Sequence, residues 1–226
     1  MQPQDTQTAF LIKVWPWIEA NRIRLAVGTG IIVVAVFFYS FFSYQREQKE
    51  IAAGEAYSRL ALSSEAGPRQ WADAYLKIAN DYPDTLAGRR ALLQGATALY
   101  VAGQYADAQA QFQKSFDAHS DGQFSASAAL GVAASLDALG KLDPAASAYQ
   151  RILNGFPSDM AAVNAAKFAL ARISVERGKF TDALNAYESI ARSNPDNALR
   201  QEAAIRAMEL KTKLAPAAPA VAKPGA

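Results

Sequence analysis

The same kinds of residue recur along this chain at an almost constant spacing, and that spacing limits how the chain can fold. Glycines, alanines and aromatic residues each form a series with steps of 37 and 38 residues. These are Gly103, Gly140 and Gly178, then Ala108, Ala145 and Ala183, then Phe112, Tyr149 and Tyr187. Such a period, with one turn residue, one small residue and one aromatic residue per unit, indicates an array of helical repeats. Because one helix pair cannot bury its apolar stripe alone, the units are expected to stack.

The unit that begins at Gly140 predicts a turn, a short helix and a stop. Gly140 can take the left-handed conformation that ends the preceding helix. We expect Asp143 to cap the next helix, with Pro144 in its first turn. Pro157 ends the unit, because a proline disfavours helical geometry in the residue before it. The apolar stripe of this helix is predicted at Ala145, Tyr149 and Ile152.

An uncharged run precedes the repeats. Residues 25–44 contain no charged side chain, and twenty helical residues span about 30 Å, the thickness of a hydrocarbon core. We therefore predict a transmembrane helix. A cleaved signal peptide is the alternative, but the run is long and no small-x-small cleavage site follows it. Residues 1–24, with Trp15 and Trp17, are predicted to be an interfacial segment. The basic residues on the two sides are nearly balanced and tilt only slightly toward a cytoplasmic N-terminus.

The rest of the chain is predicted to be one domain, residues 45–214, followed by an Ala/Pro-rich disordered tail, residues 215–226. The first predicted helix, Gln45–Ser64, continues the transmembrane segment. The second repeat is predicted at Arg89–Ala102 and Tyr105–Ala118. A last helix at Ala198–Leu214 is expected to cap the array. Its apolar side is predicted to hold Ala203, Ala204, Ala207 and Leu210.

Composition and motifs argue against several classes of function. The 23 Lys and Arg residues nearly balance the 21 Asp and Glu residues, whereas a nucleic-acid-binding domain would show a basic face. Without cysteine the chain has no disulfide framework and no thiolate zinc site. The single histidine, His119, is interpreted as a surface residue in a link between repeats. We find no catalytic constellation and expect no enzyme activity, no metal, no cofactor and no small-molecule substrate. The aspartates at turns and helix starts are interpreted as capping residues.

This register resembles the tetratricopeptide repeat. The small residues of that motif are matched by Ala96, Ala133 and Ala171 in the first helices and by Ala108, Ala145 and Ala183 in the second helices. Its bulky position is matched by Tyr75, Phe112, Tyr149 and Tyr187, the next by Ile78, Ser115, Ile152 and Ile190, and its proline by Pro83, Pro157 and Pro195, with Ser120 in place of the fourth. The chain departs from the motif in its longer period and in Trp71, which stands where alanine is usual. The resemblance implies an all-α fold, with about four helix pairs and a terminal capping helix.

The layout of one anchor followed by repeats resembles one bacterial family, the ancillary subunit of the SecYEG translocon. Membership would imply a cytoplasmic N-terminus, a single anchor in the inner membrane and a periplasmic repeat domain. The partners would be translocon subunits, periplasmic chaperones or exported chains. An assembly or adaptor factor for the cell envelope or the division machinery is the alternative, with the same surface and another partner.

On the family register, the first helices form a concave surface that binds protein segments. This predicted groove contains Arg90, Leu93, Thr97, Tyr100, Leu130, Ala134, Asp137, Phe168, Arg172 and Val175. The surface is apolar with a few charges, which suits an amphipathic helix or an extended apolar peptide. The alternative is that these residues pack under the capping helix or against each other.

Overall fold

A computed structural model describes residues 15–62, 67–118, 122–192 and 198–215. Within these ranges the chain is helical and contains no strand. It divides into two compact units, Met1–Ala52 and Ala53–Ala226. His119, Ser120, Asp121, Pro195 and Asp196 lie outside the described residues, as do most of the predicted tail and most of the predicted N-terminal segment.

In the first unit, residues 15–20 are helical and a turn at Asn21 leads into α1 (Arg22–Ala61). The Asn21 amide nitrogen donates to the Trp17 carbonyl at 3.1 Å, and Leu25 donates to the Asn21 carbonyl at 2.9 Å. Along residues 25–44 the large apolar side chains are exposed. By length and composition, α1 could cross a membrane.

The second unit contains the last part of α1 and the helices of the repeats. Ala56, Tyr57 and Leu60 of α1 pack against the core formed by the next two helices. The predicted helix Gln45–Ser64 ends at Ala61, and residues 63–66 are not described. The following helices are α2 (Pro68–Asp81), α3 (Leu86–Val101), α4 (Tyr105–Ala118), α5 (Ser125–Ala138), α6 (Leu142–Gly155), α7 (Met160–Glu176), α8 (Phe180–Arg192) and α9 (Ala198–Leu214).

From α2 to α9, each helix packs chiefly on the helix that follows it in the chain. In addition, the first helices of the repeats touch one another in order, α3 with α5, α5 with α7, and α7 with α9. Such nearest-neighbour packing is the pattern of a stacked repeat array. The first helices therefore form one continuous row, and α9 takes the next place in it.

The turn that joins the two helices of a repeat depends on a glycine. Gly103, Gly140 and Gly178 have φ values of 76°, 73° and 73°. These values lie in the left-handed region, which residues other than glycine adopt only at a cost in free energy. After each glycine, the next residue donates its amide to a carbonyl five positions back. One example is Lys141, which donates to Leu136 at 3.0 Å. These bonds satisfy carbonyls at the helix end, as predicted for Gly140.

The core is built from the residues that carry the repeat pattern. Ala108, Ala145 and Ala183 are fully buried, while Phe112, Tyr149 and Tyr187 are at most 5% exposed. A small residue lets neighbouring helices approach closely, and the aromatic ring fills the space beside it. A close approach of this kind is at Gly131 in α5, where a Cβ atom would collide with the Phe112 ring.

Two helix starts differ from the prediction. The helix predicted to begin at Arg89 begins at Leu86, because the Thr85 hydroxyl accepts a hydrogen bond from the Gly88 amide at 2.9 Å and caps it. Asp143 was predicted to be a cap, and this is wrong. Its helix starts at Leu142, two residues earlier than predicted, so Asp143 lies inside the first turn, and the Asp143 carboxylate pairs with Arg177 of the next repeat.

The terminal helix α9 buries Ala203, Ala207 and Leu210 against α7 and α8. The prediction for Ala204 was wrong, because this residue is exposed. Two lysines of α9 also contact side chains of α8. Lys211 Nζ lies 2.6 Å from the Glu188 carboxylate, and Lys213 Nζ lies 3.9 Å from the centroid of the Phe180 ring. The opposite side of α9 is not purely charged, since it also exposes Ile205 and Met208.

Candidate protein-binding surface

The first helices α3, α5 and α7 carry the residues predicted to form the groove, and their order along the row divides these residues into three groups. The α3 group lies toward the α1 end of the row, and the α7 group lies beside α9. The three groups differ in how much side-chain surface remains available to a partner.

The α3 group is the most accessible. Arg90 and Thr97 are exposed, whereas Leu93 and Tyr100 are half-buried. The Arg90 guanidinium lies 5.3 Å from the centroid of the Tyr57 ring, at cation–π distance. Tyr100 packs edge-to-face on Tyr105, with ring centroids 5.1 Å apart. This part of the predicted groove therefore offers aromatic surface and one cation.

An open cleft of about 440 Å³ lies between α2 and α3, and Thr97 lines it together with Trp71, Tyr75 and Val101. Trp71 packs on Tyr75 with ring centroids 5.6 Å apart. Burial raises the pKa of the Tyr75 hydroxyl, and the neighbouring Tyr57 raises it further. The sequence prediction left Trp71 out of the groove. The sequence did contain a sign that Trp71 is accessible, because it stands where the motif has alanine and a large side chain at that place cannot be buried as an alanine is.

The α5 group is largely occupied by internal contacts. Leu130 and Ala134 are half-buried, and Leu130 packs against the central core. The side chain of Asp137 is only 6% exposed and pairs with Arg172 of α7. Its carboxylate also accepts a hydrogen bond from the Tyr149 hydroxyl at 3.5 Å. Asp137 therefore joins two repeats and offers little surface to a partner.

The α7 group lines a cleft of about 290 Å³ that α9 helps to form. Phe168 packs edge-to-face on the buried Tyr187 at 5.1 Å, and Val175 packs against the same cluster. Arg172 bridges Asp137 and Glu176, the latter at 2.8 Å. A partner reaching this end of the row would meet α9 as well as α7.

Charges around this cleft are matched within the fold. On α9, Arg206 lies 3.1 Å from Glu202 and 3.2 Å from Glu209, and the pKa of Arg206 is raised by Glu202 first and then by Glu209. On α8, the bond from Lys211 is the main cause that lowers the pKa of the Glu188 carboxyl. Because these charges are paired, the α7 end of the row is less suited to bind an ionic partner than the α3 end.

The described residues contain no group of three or more His, Asp or Glu side chains placed to hold a metal ion. Their chemistry is that of a docking surface, with aromatic and aliphatic side chains flanked by single charges.

Comparison with known families agrees with this geometry. The family model described as a tetratricopeptide repeat-like domain matches residues 16–154, which is more than half of the chain. The chain belongs to this family. As a tetratricopeptide repeat-like protein, it is a scaffold for protein–protein interaction. No curated protein matches the chain.

Family membership also explains the row of first helices, because tetratricopeptide-like repeats stack so that equivalent helices line one face. The match begins within the helical residues ahead of α1 and ends near the end of α6. Helices α7 and α8 lie beyond the match, yet they repeat the same buried alanine and aromatic residue, Ala183 and Tyr187.

Proposed function

We propose that this protein is a membrane-anchored repeat scaffold that binds proteins at the outer face of the bacterial inner membrane. We further propose that it acts beside the Sec translocon, with translocon subunits, periplasmic chaperones or exported chains as partners. Its N-terminus is cytoplasmic in this proposal, and the repeats are periplasmic. The chain binds without catalysing a reaction and needs no cofactor.

The observation that carries the anchor is the exposed apolar surface of α1. Residues 25–44 carry no charge, and Phe37 and Phe38 are 67% and 54% exposed. Transfer of apolar surface from water to hydrocarbon is favourable by roughly 25 cal/mol per Å². Large exposed apolar patches mark interaction sites in water-soluble proteins. A helical run of twenty residues has the length of a bilayer core.

The proposed mechanism is tethering. An anchor confines the docking surface to a layer near the bilayer, which raises its effective concentration toward a partner in the same membrane. Individual contacts of the α3 group can then be weak, since the second binding event is intramolecular. This is consistent with a surface that has one exposed cation at Arg90 and no dense charge.

The anchor is tested in the full chain by the double substitution Val33→Arg and Val34→Arg. Two arginines in the apolar run cost about 2.5–3.5 kcal/mol each at the centre of a helix in a membrane. We expect the variant to be released from membranes by an alkaline carbonate wash, whereas the wild type stays bound. Leu62→Arg, at a position 85% exposed outside the run, is the matched control. Release of the wild type under the same wash would contradict the anchor.

The partner is tested by placing a photoreactive residue at Thr97 in the full chain and irradiating native membranes. We expect crosslinks to translocon subunits, periplasmic chaperones or exported chains. The same residue at Ser189, which is exposed on the second helix α8, is the control. Crosslinks only to envelope-assembly or division proteins would favour the alternative function. The Sec assignment fails if the products at the two positions are the same.

A further inference from the structure

A second cleft lies on the other set of helices, between α4 and α6. It has a volume of about 300 Å³ and lies between the second helices of two consecutive repeats. Phe116 and Phe156 form its walls and pack edge-to-face, with ring centroids 6.4 Å apart. Its floor includes Val132 and Ile152, which are 7% and 0% exposed. The sequence prediction assigned none of these residues to a binding surface.

The end of α6 contributes a glycine to the cleft. Gly155 lines the cleft, and a Cβ atom at this position would meet no atom within 4 Å. The backbone there is helical, so the glycine is not needed for a special conformation. A larger side chain would enter free space, and this makes Gly155 the position from which the cleft can be blocked without disturbing the core.

An arginine lies at the mouth of the cleft. Arg151 is exposed and lines the cleft. Among the residues that the structure describes, its guanidinium has no carboxylate partner. By contrast, five other arginines of the repeat unit are paired with acids, namely Arg69, Arg172, Arg177, Arg192 and Arg206. Asp117 of α4 has a different partner, because its carboxylate accepts a hydrogen bond from the Gln113 side-chain amide at 2.7 Å.

We propose that this cleft is a second docking site, which takes a peptide segment of a partner protein that presents one bulky apolar side chain next to a carboxylate. The apolar side chain enters between the two phenylalanine rings, and the carboxylate pairs with Arg151. The positive charge of Arg151 favours an acidic segment, and the volume of the cleft suits a single side chain. A cleft of about 300 Å³ is at the lower limit for small-molecule sites, so it holds an anchor residue and not a long lipid chain.

The site is independent of the proposed membrane function, because its walls and mouth belong to the second helices, and Val132 of the first helix α5 lies buried in its floor. The two surfaces could therefore be occupied at once, and a change at one should leave the other intact. A tethered scaffold with two docking surfaces could hold two partners together, or hold one partner through two segments.

The test uses the full chain in detergent and a phage-displayed library of random dodecapeptides as the probe. Gly155→Leu fills the cleft and also exchanges a glycine for a better helix former, so the fold is retained. Asn154→Leu adds the same side chain one residue away, at an exposed position that does not line the cleft. Arg151→Glu reverses the charge at the mouth, and Lys141→Glu reverses an exposed charge elsewhere.

We expect the enriched peptides to pair a large apolar residue with Asp or Glu. Their affinity should fall by about tenfold or more in Arg151→Glu, because like charges then meet, and by a similar factor in Gly155→Leu. The two control variants should bind as the wild type does. The proposal is overturned if no peptide is enriched, if the enriched peptides are basic, or if they bind all variants equally. None of these results bears on the membrane anchor, which the carbonate wash tests separately.

Discussion

Residues 25–44 of α1 and the second helices of the repeats are both rich in apolar side chains, but they expose them differently. In α1 the apolar residues surround the helix, and Phe37, Phe38 and Val34 are all more than half exposed. In α6 the apolar residues form one stripe, and Tyr149 and Ile152 on that stripe are 5% and 0% exposed. A helix that is apolar on all sides needs an apolar surrounding, whereas a striped helix needs only a neighbour. The comparison separates the part of the chain that suits lipid from the part that suits another helix.

The largest effect is expected from the same substitution made in both regions. Phe112→Ala removes a ring that is 5% exposed and should cost about 3–5 kcal/mol of unfolding free energy. Phe38→Ala removes a ring that is 54% exposed and should leave the stability of the repeats unchanged. Urea unfolding of the full chain in detergent, followed by circular dichroism, measures both. Equal losses would mean that the two regions are not distinct in packing.

A glycine at close approach should give the next largest effect. Gly131→Ala places a methyl group against the Phe112 ring, and overpacking of this kind costs about 1–3 kcal/mol. Gly155→Ala is the matched control, since its methyl group meets open space and alanine favours helix by up to about 1 kcal/mol. The two variants should therefore shift the urea midpoint in opposite directions. A Gly131→Ala variant as stable as the wild type would contradict the packing of α5 on α4.

A turn glycine should give a somewhat smaller effect. Gly140→Ala forces a side chain into a left-handed conformation, φ 73°, at a cost of about 1–2 kcal/mol. In α1, Gly54→Ala adds a methyl group to a helical residue with open space around it and should be neutral or slightly stabilising. Thermal unfolding of the two variants measures the difference. If Gly140→Ala were neutral, the left-handed turn between helices would not be required.

The smallest effect at ordinary pH concerns a buried tyrosine, because it emerges only in alkali. Burial raises the pKa of the Tyr149 hydroxyl above its ordinary value of 10.0. The unfolded chain therefore loses this proton first as the pH rises, so the contribution of Tyr149 to folding stability should be constant below pH 10.0 and decrease above it. Urea midpoints measured from about pH 8 to about pH 11 test this.

Tyr149→Phe is the matched variant for that titration. It should reduce the alkaline loss but not abolish it, since burial also raises the pKa values of Tyr75 and Tyr187. An identical pH dependence in the variant and the wild type would mean that Tyr149 ionises as easily in the folded protein as in the unfolded chain.

The sequence predicted the features that depend on one residue type at a fixed spacing. The left-handed glycines, the buried alanines and the buried aromatic residues are all such features, because each depends on a local requirement for a turn, close approach or filled space. The structure confirms them at Gly140, Ala145 and Tyr149. The family match likewise supports the helical repeats that this pattern indicates.

Features that depend on contacts between repeats were not predictable in the same way. Aspartate is a residue type that often caps helices, but Asp143 pairs instead with Arg177 of the next repeat. Phe168 and Val175 follow the groove register, but the packing of α9 partly covers them. The cleft at Phe116 and Phe156 arises because two rings from different repeats meet beside a glycine, and no spacing within one repeat encodes that. The groove residues as a set remain a prediction.

The most direct test of the central claim uses the absence of cysteine from the chain. Single cysteines at Val34 and Thr97, in the full chain in intact cells with a permeabilised outer membrane, are treated with a maleimide that cannot cross the inner membrane. We predict that Thr97→Cys is labelled from outside, whereas Val34→Cys is labelled only after the membrane is dissolved. Labelling of Val34→Cys as fast as Thr97→Cys would show that residues 25–44 lie in water. Labelling of Thr97→Cys only after lysis would place the repeats on the cytoplasmic side, and either result would contradict the account.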